Sequence, residues 1–386
     1  MVDITYLDNN ATTAVDPRVF AAMRPFLEEF YANPSSGYAS AAHVRAAIET
    51  AREQVAALLG CAPAEIIFTS GGTEANNLAF HSARQSAPER RHFVTTAVEH
   101  SAVLRPAQDL LRRGCEVSFL GVDHAGRLSL RALADTLTAE TALLSVMWAN
   151  NETGVVFPIE EIAAIAHDKG VPFHTDAIQA AGKIAIKLRD LPLQFLSISG
   201  HKIYAPKGVG ALYVNRHARF HPLLLGGSHE NDRRAGTENV ASIVGLGKAA
   251  EITLAESGSE HARLLALRDR FEKALAEKIE DVHVNGSGAS RLPNTSSLRF
   301  AGIDSSAALL MLDQQKICCS AGSACRTGSL KPSHVMTALG LNVDEARGAL
   351  RFSFGRFNTD ADVDRALEII PRVIAKLRAL SPALVR

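Results

Sequence analysis

The chain is short of the features that mark secreted, membrane and nucleic-acid-binding proteins. Cysteine is scarce, with five in 386 residues: Cys61, Cys115, Cys318, Cys319 and Cys325. So sparse and odd a set gives no disulfide framework and fits a reducing cytoplasm. An excess of one charge is missing, because 41 basic and 41 acidic residues cancel and no block of like charge stands out. That argues against direct nucleic-acid or membrane-surface binding. No run of 18 apolar residues occurs, so no membrane span is expected. The opening "MVDITYLD" has neither a basic n-region nor an apolar h-region, so a cytoplasmic chain without a signal peptide is expected. Metal-ligand spacing of the C-x-x-C or H-E-x-x-H kind is absent, and no metal is expected. There is no G-x-x-x-x-G-K-[ST] loop. "GLGKAA", residues 245–250, has the outline of a dinucleotide fingerprint, but it lies in a helical pattern with no strand before it. Internal repeats and low-complexity linkers are also lacking.

What remains is a globular composition. Apolar residues at 47% and charged residues at 21% suffice for a sizeable core. From about residue 45 to 215, apolar runs alternate with helical patterns. "EIIFTS", "HFVTTA", "EVSFL", "ALLSVM", "PFHTDA", "FLSIS" and "GALYV" are the predicted strands. "AAHVRAAIETAREQVAALLG" and "IEEIAAIAHDKG" are amphipathic helices, each closing on a glycine. The alternation predicts an α/β domain with a mostly parallel sheet, in which ligands bind beyond the carboxyl ends of the strands. After about residue 237 long helical patterns run to about residue 280. "SSLRF", "SSAALLMLDQ", "ALRFSF" and "ADVDRALEIIPRVIAKLRAL" follow, and they read as a smaller α+β domain.

The residues after each predicted strand carry the chemistry. "FTSGGTEANN" is a strand, a Gly-Gly turn and a helix start. Its backbone N–H groups can hold a phosphate, with Gly71 and Gly72 allowing close approach; the alternative is a tight turn capped by Thr73. Asp176 stands just past one strand and Lys202 just past the next, 26 residues on, among Ser199, Gly200 and His201. A lysine so placed is desolvated, which lowers its pKa and lets it attack a carbonyl. Asp, Lys and a phosphate cradle together point to pyridoxal phosphate, which needs a lysine for its aldehyde and a carboxylate on its pyridinium nitrogen. "VEHSAV" adds His100, able to stack on a ring. "MWANNETG" adds Asn150 and Asn151 as donors for the phenolic oxygen.

A set of stretches in order from residue 6 to 357 resembles the NifS/IscS-type cysteine desulfurases among the fold-type-I pyridoxal-phosphate enzymes. They are "YLDNNATTAVDP", "NPSSGYA", "TSGGTEANN", "VEHSAVL", "NNETG", "HTDAIQAAGK", "SGHKIYAPKGVGALY", "RRAGTENV", "GSAC" with "GSLKPSH", and "LRFSFGRF". The resemblance implies a large cofactor-binding domain with a mostly parallel seven-stranded sheet over residues 15–250. It implies a smaller α+β domain over 251–386 with 1–14, carrying the catalytic cysteine. Lys202 then holds the cofactor and shuttles protons, Asp176 binds the pyridine nitrogen, and His100 stacks and acts in acid–base steps. Asn151 and Gln179 face the ring oxygen. Gly72, Thr73, Ser199 and His201 hold the phosphate. Thr237 reaches the phosphate of the second subunit of a homodimer. Arg351, with Asn33 nearby, clamps the substrate carboxylate.

Cys325 sits in "CSAGSACRTGS", a composition that reads as an exposed loop. The resemblance makes it the nucleophile that takes sulfur from L-cysteine, as a persulfide, and passes it to an acceptor protein. Cys61 and Cys115 read as small core residues, and Cys318 and Cys319 as the end of a buried strand. A selenocysteine lyase or another Cβ-cleaving enzyme of the same fold is the rival reading. In "GGSHENDRRAGTENV", Ser228 and His229 stand where the family more usually has Gly-Gly-Gln-Glu. The receiver of the sulfur, whether for iron–sulfur clusters, tRNA, a cofactor or DNA modification, is left open.

Overall fold

The computed structural model describes residues 4–321 and 332–380. Strand β1 (Thr5–Tyr6) opens the chain. Seven strands then form the large sheet: β2 (Ile66–Thr69), β3 (His92–Thr96), β4 (Glu116–Leu120), β5 (Thr141–Ser145), β6 (Phe173–Asp176), β7 (Phe195–Ser199) and β8 (Gly210–Val214). Their order is β2-β8-β7-β6-β5-β3-β4. All neighbours run parallel except β8, which is antiparallel to both β2 and β7. The burial pattern explains the sequence pattern. Interior strands are covered on both faces, so "FLSIS" and "GALYV" are buried throughout, while the edge strand "EVSFL" is half-exposed. The β7–β8 link is residues 200–209, too short for a parallel crossover of about a dozen residues or more. Antiparallel pairing follows, and the link that carries Lys202 is pinned at both ends.

The predicted helices form as Ala39–Leu59 and Ile159–Asp168. The first ends on Gly60 in the left-handed region at φ 65°, where a Cβ is unfavourable. "GLGKAA" lies inside a single helix, Val240–Lys278. Its first half packs Ile243, Leu246, Ala249 and Ile252 into the core on one side of the large sheet. Its second half packs Leu264, Leu267, Phe271 and Leu275 into a separate core. That second core lies against β9 (Val282–Val284), β10 (Thr295–Phe300) and β13 (Ala349–Ser353), joined as a sheet in the order β12-β13-β10-β9 with β12 (Ser320–Ala321). The last helix, Asp360–Leu380, covers it. β1 pairs in parallel with β11 (Ile317–Cys318), which brings the amino-terminal residues to this second unit. No helix among the described residues is long and apolar enough to cross a membrane.

Candidate active site

The carboxyl ends of β5, β6 and β7 open into one cavity of about 360 Å³, within the roughly 300–1,000 Å³ of ordinary ligand sites. Lys202, Asp176, His100, Asn151, Gln179, Thr73, Gly72, Ser199, His201 and Arg351 all line it. Larger hollows exist elsewhere on the surface, but among the described residues the two largest of them are lined by neither Lys202 nor Asp176.

Each residue is held by a local device. Asp176 ends β6; its carboxylate accepts from Asn76 Nδ2 at 2.7 Å and from the Ile178 N–H at 3.0 Å. Burial pushes its pKa up, opposed by those two bonds and by the nearby His100 and Lys202. Lys202 follows β7, and its Nζ donates to the carbonyls of Asn10 at 2.5 Å and Ala11 at 2.6 Å. Burial, then the charges of Lys183 and Arg351, lower its pKa to about 7. His201 is pushed down to about 4 by burial and neighbouring lysines. His100 caps the Ser101–Arg112 helix, its Nδ1 accepting from the Ala102 N–H at 3.1 Å. Its ring is exposed to the cleft, yet the surrounding protein still lowers its pKa. Because Nδ1 is an acceptor here, a neutral His100 carries its proton on Nε2.

Arg351, on β13, donates to the Asn151 carbonyl at 2.9 Å and to Asp8 Oδ1 at 2.7 Å. Its Nε is buried with no partner among the described residues. Gln179 donates from Nε2 to the Asn10 carbonyl at 2.9 Å and accepts from Lys183 Nζ at 3.3 Å.

Several expectations need adjustment. The cap of the Gly72–Ser86 helix is Gly71, not Thr73, which lies exposed in the first turn. Gly72 is required by packing: a Cβ there would come within 2.1 Å of Ile178 Cδ1. Asn150 does not line the cavity. Its amide closes its own turn, with Oδ1 accepting from the N–H groups of Glu152 and Thr153 and Nδ2 donating to the Val98 carbonyl. Asn33 lies outside the cavity, exposed, with its Oδ1 accepting from the Ser35 N–H. Thr237 is also exposed and lines a different hollow, with Ser70, Gly208 and Arg234. Cys61 and Cys115 are core residues, and Cys318 ends β11 with Cys319 just beyond it. His229, at one of the departing positions, accepts from the Gly236 N–H and so braces its own loop. Cys325 lies outside the described residues.

Sequence reasoning passed over Asn10, Asp8, Asn76 and Lys183. Asn10 and Asp8 sit in a loop with no periodicity, and only the fold carries them to the strand ends. Asn76 has the helical signal of one turn after Thr73 but no hint of its target. Lys183 is four residues after Gln179, a spacing that reads equally as helix surface.

The sequence profile of the aminotransferase class-V family matches residues 5–366. The chain belongs to that family. Among curated relatives, a cysteine desulfurase of Trichormus azollae is 51% identical over 99% of this chain and 95% of its own. The cysteine desulfurase NifS of Azotobacter vinelandii is 48% identical over 99% of this chain and 95% of its own. A solved NifS-like protein superposes with a TM-score of 0.91 at 35% identity, covering 97% of this chain and all of that one. The class-V chain thus has the fold-type-I architecture, a mostly parallel seven-stranded sheet with a second α+β unit.

Proposed function

We propose that the chain is a pyridoxal-phosphate-dependent cysteine desulfurase that leaves the sulfur of L-cysteine on Cys325. One observation carries the reading: Lys202, Asp176 and His100 line a single cavity with the amino end of a fifteen-residue helix. The donor set fits the cofactor. Asp176 would face the pyridine nitrogen, whose positive charge repays the burial of a carboxylate. Lys202 would hold the aldehyde. Thr73, Ser199 and His201, with the helix start after Gly72, would hold the phosphate. Thr237 would reach the phosphate bound by the second subunit of a homodimer, in keeping with its place outside this chain's own cavity. Asn151 and Gln179 would face the ring oxygen and His100 the ring. When bound, the cofactor supplies an electron sink that loosens bonds at the substrate carbons.

The chain's own residues do the rest. Arg351 would receive the substrate carboxylate, and its buried, unpartnered Nε is a donor in want of an acceptor. Asn33 would contribute only from outside the cavity. Lys202 Nζ, with a pKa of about 7, is partly neutral at physiological pH and can take a proton. His100 presents an Nε2–H, so it donates from that nitrogen and does not accept. In the overall reaction the Cβ–S bond of L-cysteine breaks and an S–S bond forms at Cys325; alanine leaves and the persulfide remains for an acceptor protein. On this reading the cofactor domain would be residues 15–250, and residues 251–386 with 1–14 would form the smaller one.

Two variants test this. Lys202→Ala should purify without the yellow absorbance, and borohydride should fix no cofactor to it. Cys325→Ala should stay yellow while sulfide release from cysteine falls on the order of 10³-fold or more, the scale of losing a covalent nucleophile. Full activity in Cys325→Ala would favour a selenocysteine lyase or another Cβ-cleaving reaction.

A further inference from the structure

We propose that Lys183 is a positioning residue of this site: it fixes the orientation of the Gln179 amide and holds a second positive charge beside Lys202. The inference rests on the reading that Lys202 carries the cofactor.

The geometry is a chain of four groups. Lys183 Nζ donates to the Gln179 carbonyl at 3.1 Å and to Gln179 Oε1 at 3.3 Å. Gln179 Nε2 donates to the Asn10 carbonyl at 2.9 Å. Lys202 Nζ donates to that same carbonyl at 2.5 Å. An ammonium only donates and a carbonyl only accepts, so just one orientation of the amide satisfies both neighbours. With Oε1 committed to Lys183, the group Gln179 has left for the cavity is its second N–H. Any acceptor placed there, such as a phenolic oxygen, meets a donor. Without Lys183 only the Asn10 carbonyl holds the amide in that orientation, and a turn that presents its oxygen to the cavity is opposed by one bond instead of two.

The electrostatics act in the same direction. Lys202 faces the positive Lys183 and Arg351, the imidazoles of His100 and His201, and the carboxylates of Asp8 and Asp176. Among the charges, Lys183 is the strongest influence lowering its pKa, second only to burial. Lys183 in turn faces Glu260 and Arg351, and burial brings it down only to about 8. It is therefore still charged at neutral pH, where its repulsion keeps part of Lys202 neutral. Above about pH 8 Lys183 discharges and the repulsion fades.

The test removes the cofactor and follows its reattachment from about pH 6 to about pH 10 by absorbance and borohydride trapping. In the parent the rate should rise through a midpoint near 7, as Lys202 loses its proton. In Lys183→Met the midpoint should move up by about one unit, so the rate at neutral pH falls about fivefold. In Lys183→Arg, which keeps charge and donors, the midpoint should stay near the parent's. An unmoved midpoint in Lys183→Met overturns the proposal. If that variant does not fold, competitive acetylation of the cofactor-free parent, read by mass spectrometry, titrates both amines directly. Lys202 titrating like a free lysine, at about 10.4, overturns the proposal equally. Failure of the underlying reading looks different: Lys202→Ala would then still trap cofactor whatever residue occupies position 183.

Discussion

Glu99 shows how one buried group ties stability to pH. It is wholly buried at the end of the β3 segment, accepting from Thr96 Oγ1 at 2.8 Å and the Met147 N–H at 2.9 Å. Its other oxygen has no partner among the described residues, and burial pushes its pKa up to about 8. Unfolded, it titrates near 4.5. Below that value both states are protonated and the folded state has its full stability. As pH rises toward 8 the unfolded chain loses the proton first, so this contribution is lost. Glu99→Gln stays neutral throughout. Its melting temperature relative to the parent should therefore climb between about pH 5 and about pH 8, and a constant difference would refute the assignment. At this scale the sequence was legible where a residue follows a strand, as Asp176 and Lys202 do. It was illegible for Asn10 and Asp8, whose roles come from loops carried across the molecule.

At the scale of elements, the Gly72–Ser86 helix must approach the loop after β6 closely enough for the cavity to form. The contact is between Gly72 and Ile178, where an added Cβ would come within 2.1 Å of Ile178 Cδ1. Gly72→Ala should therefore cost about 1–3 kcal/mol by overpacking, seen as a lower denaturant midpoint. Gly72→Ala combined with Ile178→Ala should recover part of the overpacking loss relative to Ile178→Ala alone, since that change removes the opposing methyl. Simple addition of the two losses would mean that the glycine serves something other than this contact. The glycine itself stands out in the sequence, in a Gly-Gly pair before a helix. Which neighbour demands it does not, because Ile178 is remote in the chain.

For the whole molecule, the Val240–Lys278 helix is a continuous covalent link between the two cores, beside buried contacts such as Arg351 with the Asn151 carbonyl and Arg356 with Asp16. Its buried residues fall into two groups, one ending at Thr253 and the other starting at Leu264. Between them, around Ser257 and Gly258, the helix touches neither core and Ser257 is exposed. Proline at such an interior position costs about 3 kcal/mol and kinks the axis. Ser257→Pro should leave both cores packed but weaken their coupling, so that calorimetry shows a broadened transition. A single sharp transition at the parent's temperature would mean that the other contacts alone keep the two units coupled.

The sequence by itself determined the kinds of element, the mostly parallel sheet and the residues at its strand ends, because burial on two faces and helical periodicity are local properties written in short windows. It also carried the family, through motifs spread over nearly the whole chain. The tertiary structure decided what those residues touch. It set the nitrogen of His100 that holds the proton, turned Asn150 inward to close its own turn, and brought Lys183, Gln179, Asn10 and Lys202 into one hydrogen-bonded row. Hydrogen-bond partners and burial depend on groups far apart in the chain, and no pattern of spacing fixes them before the chain has folded.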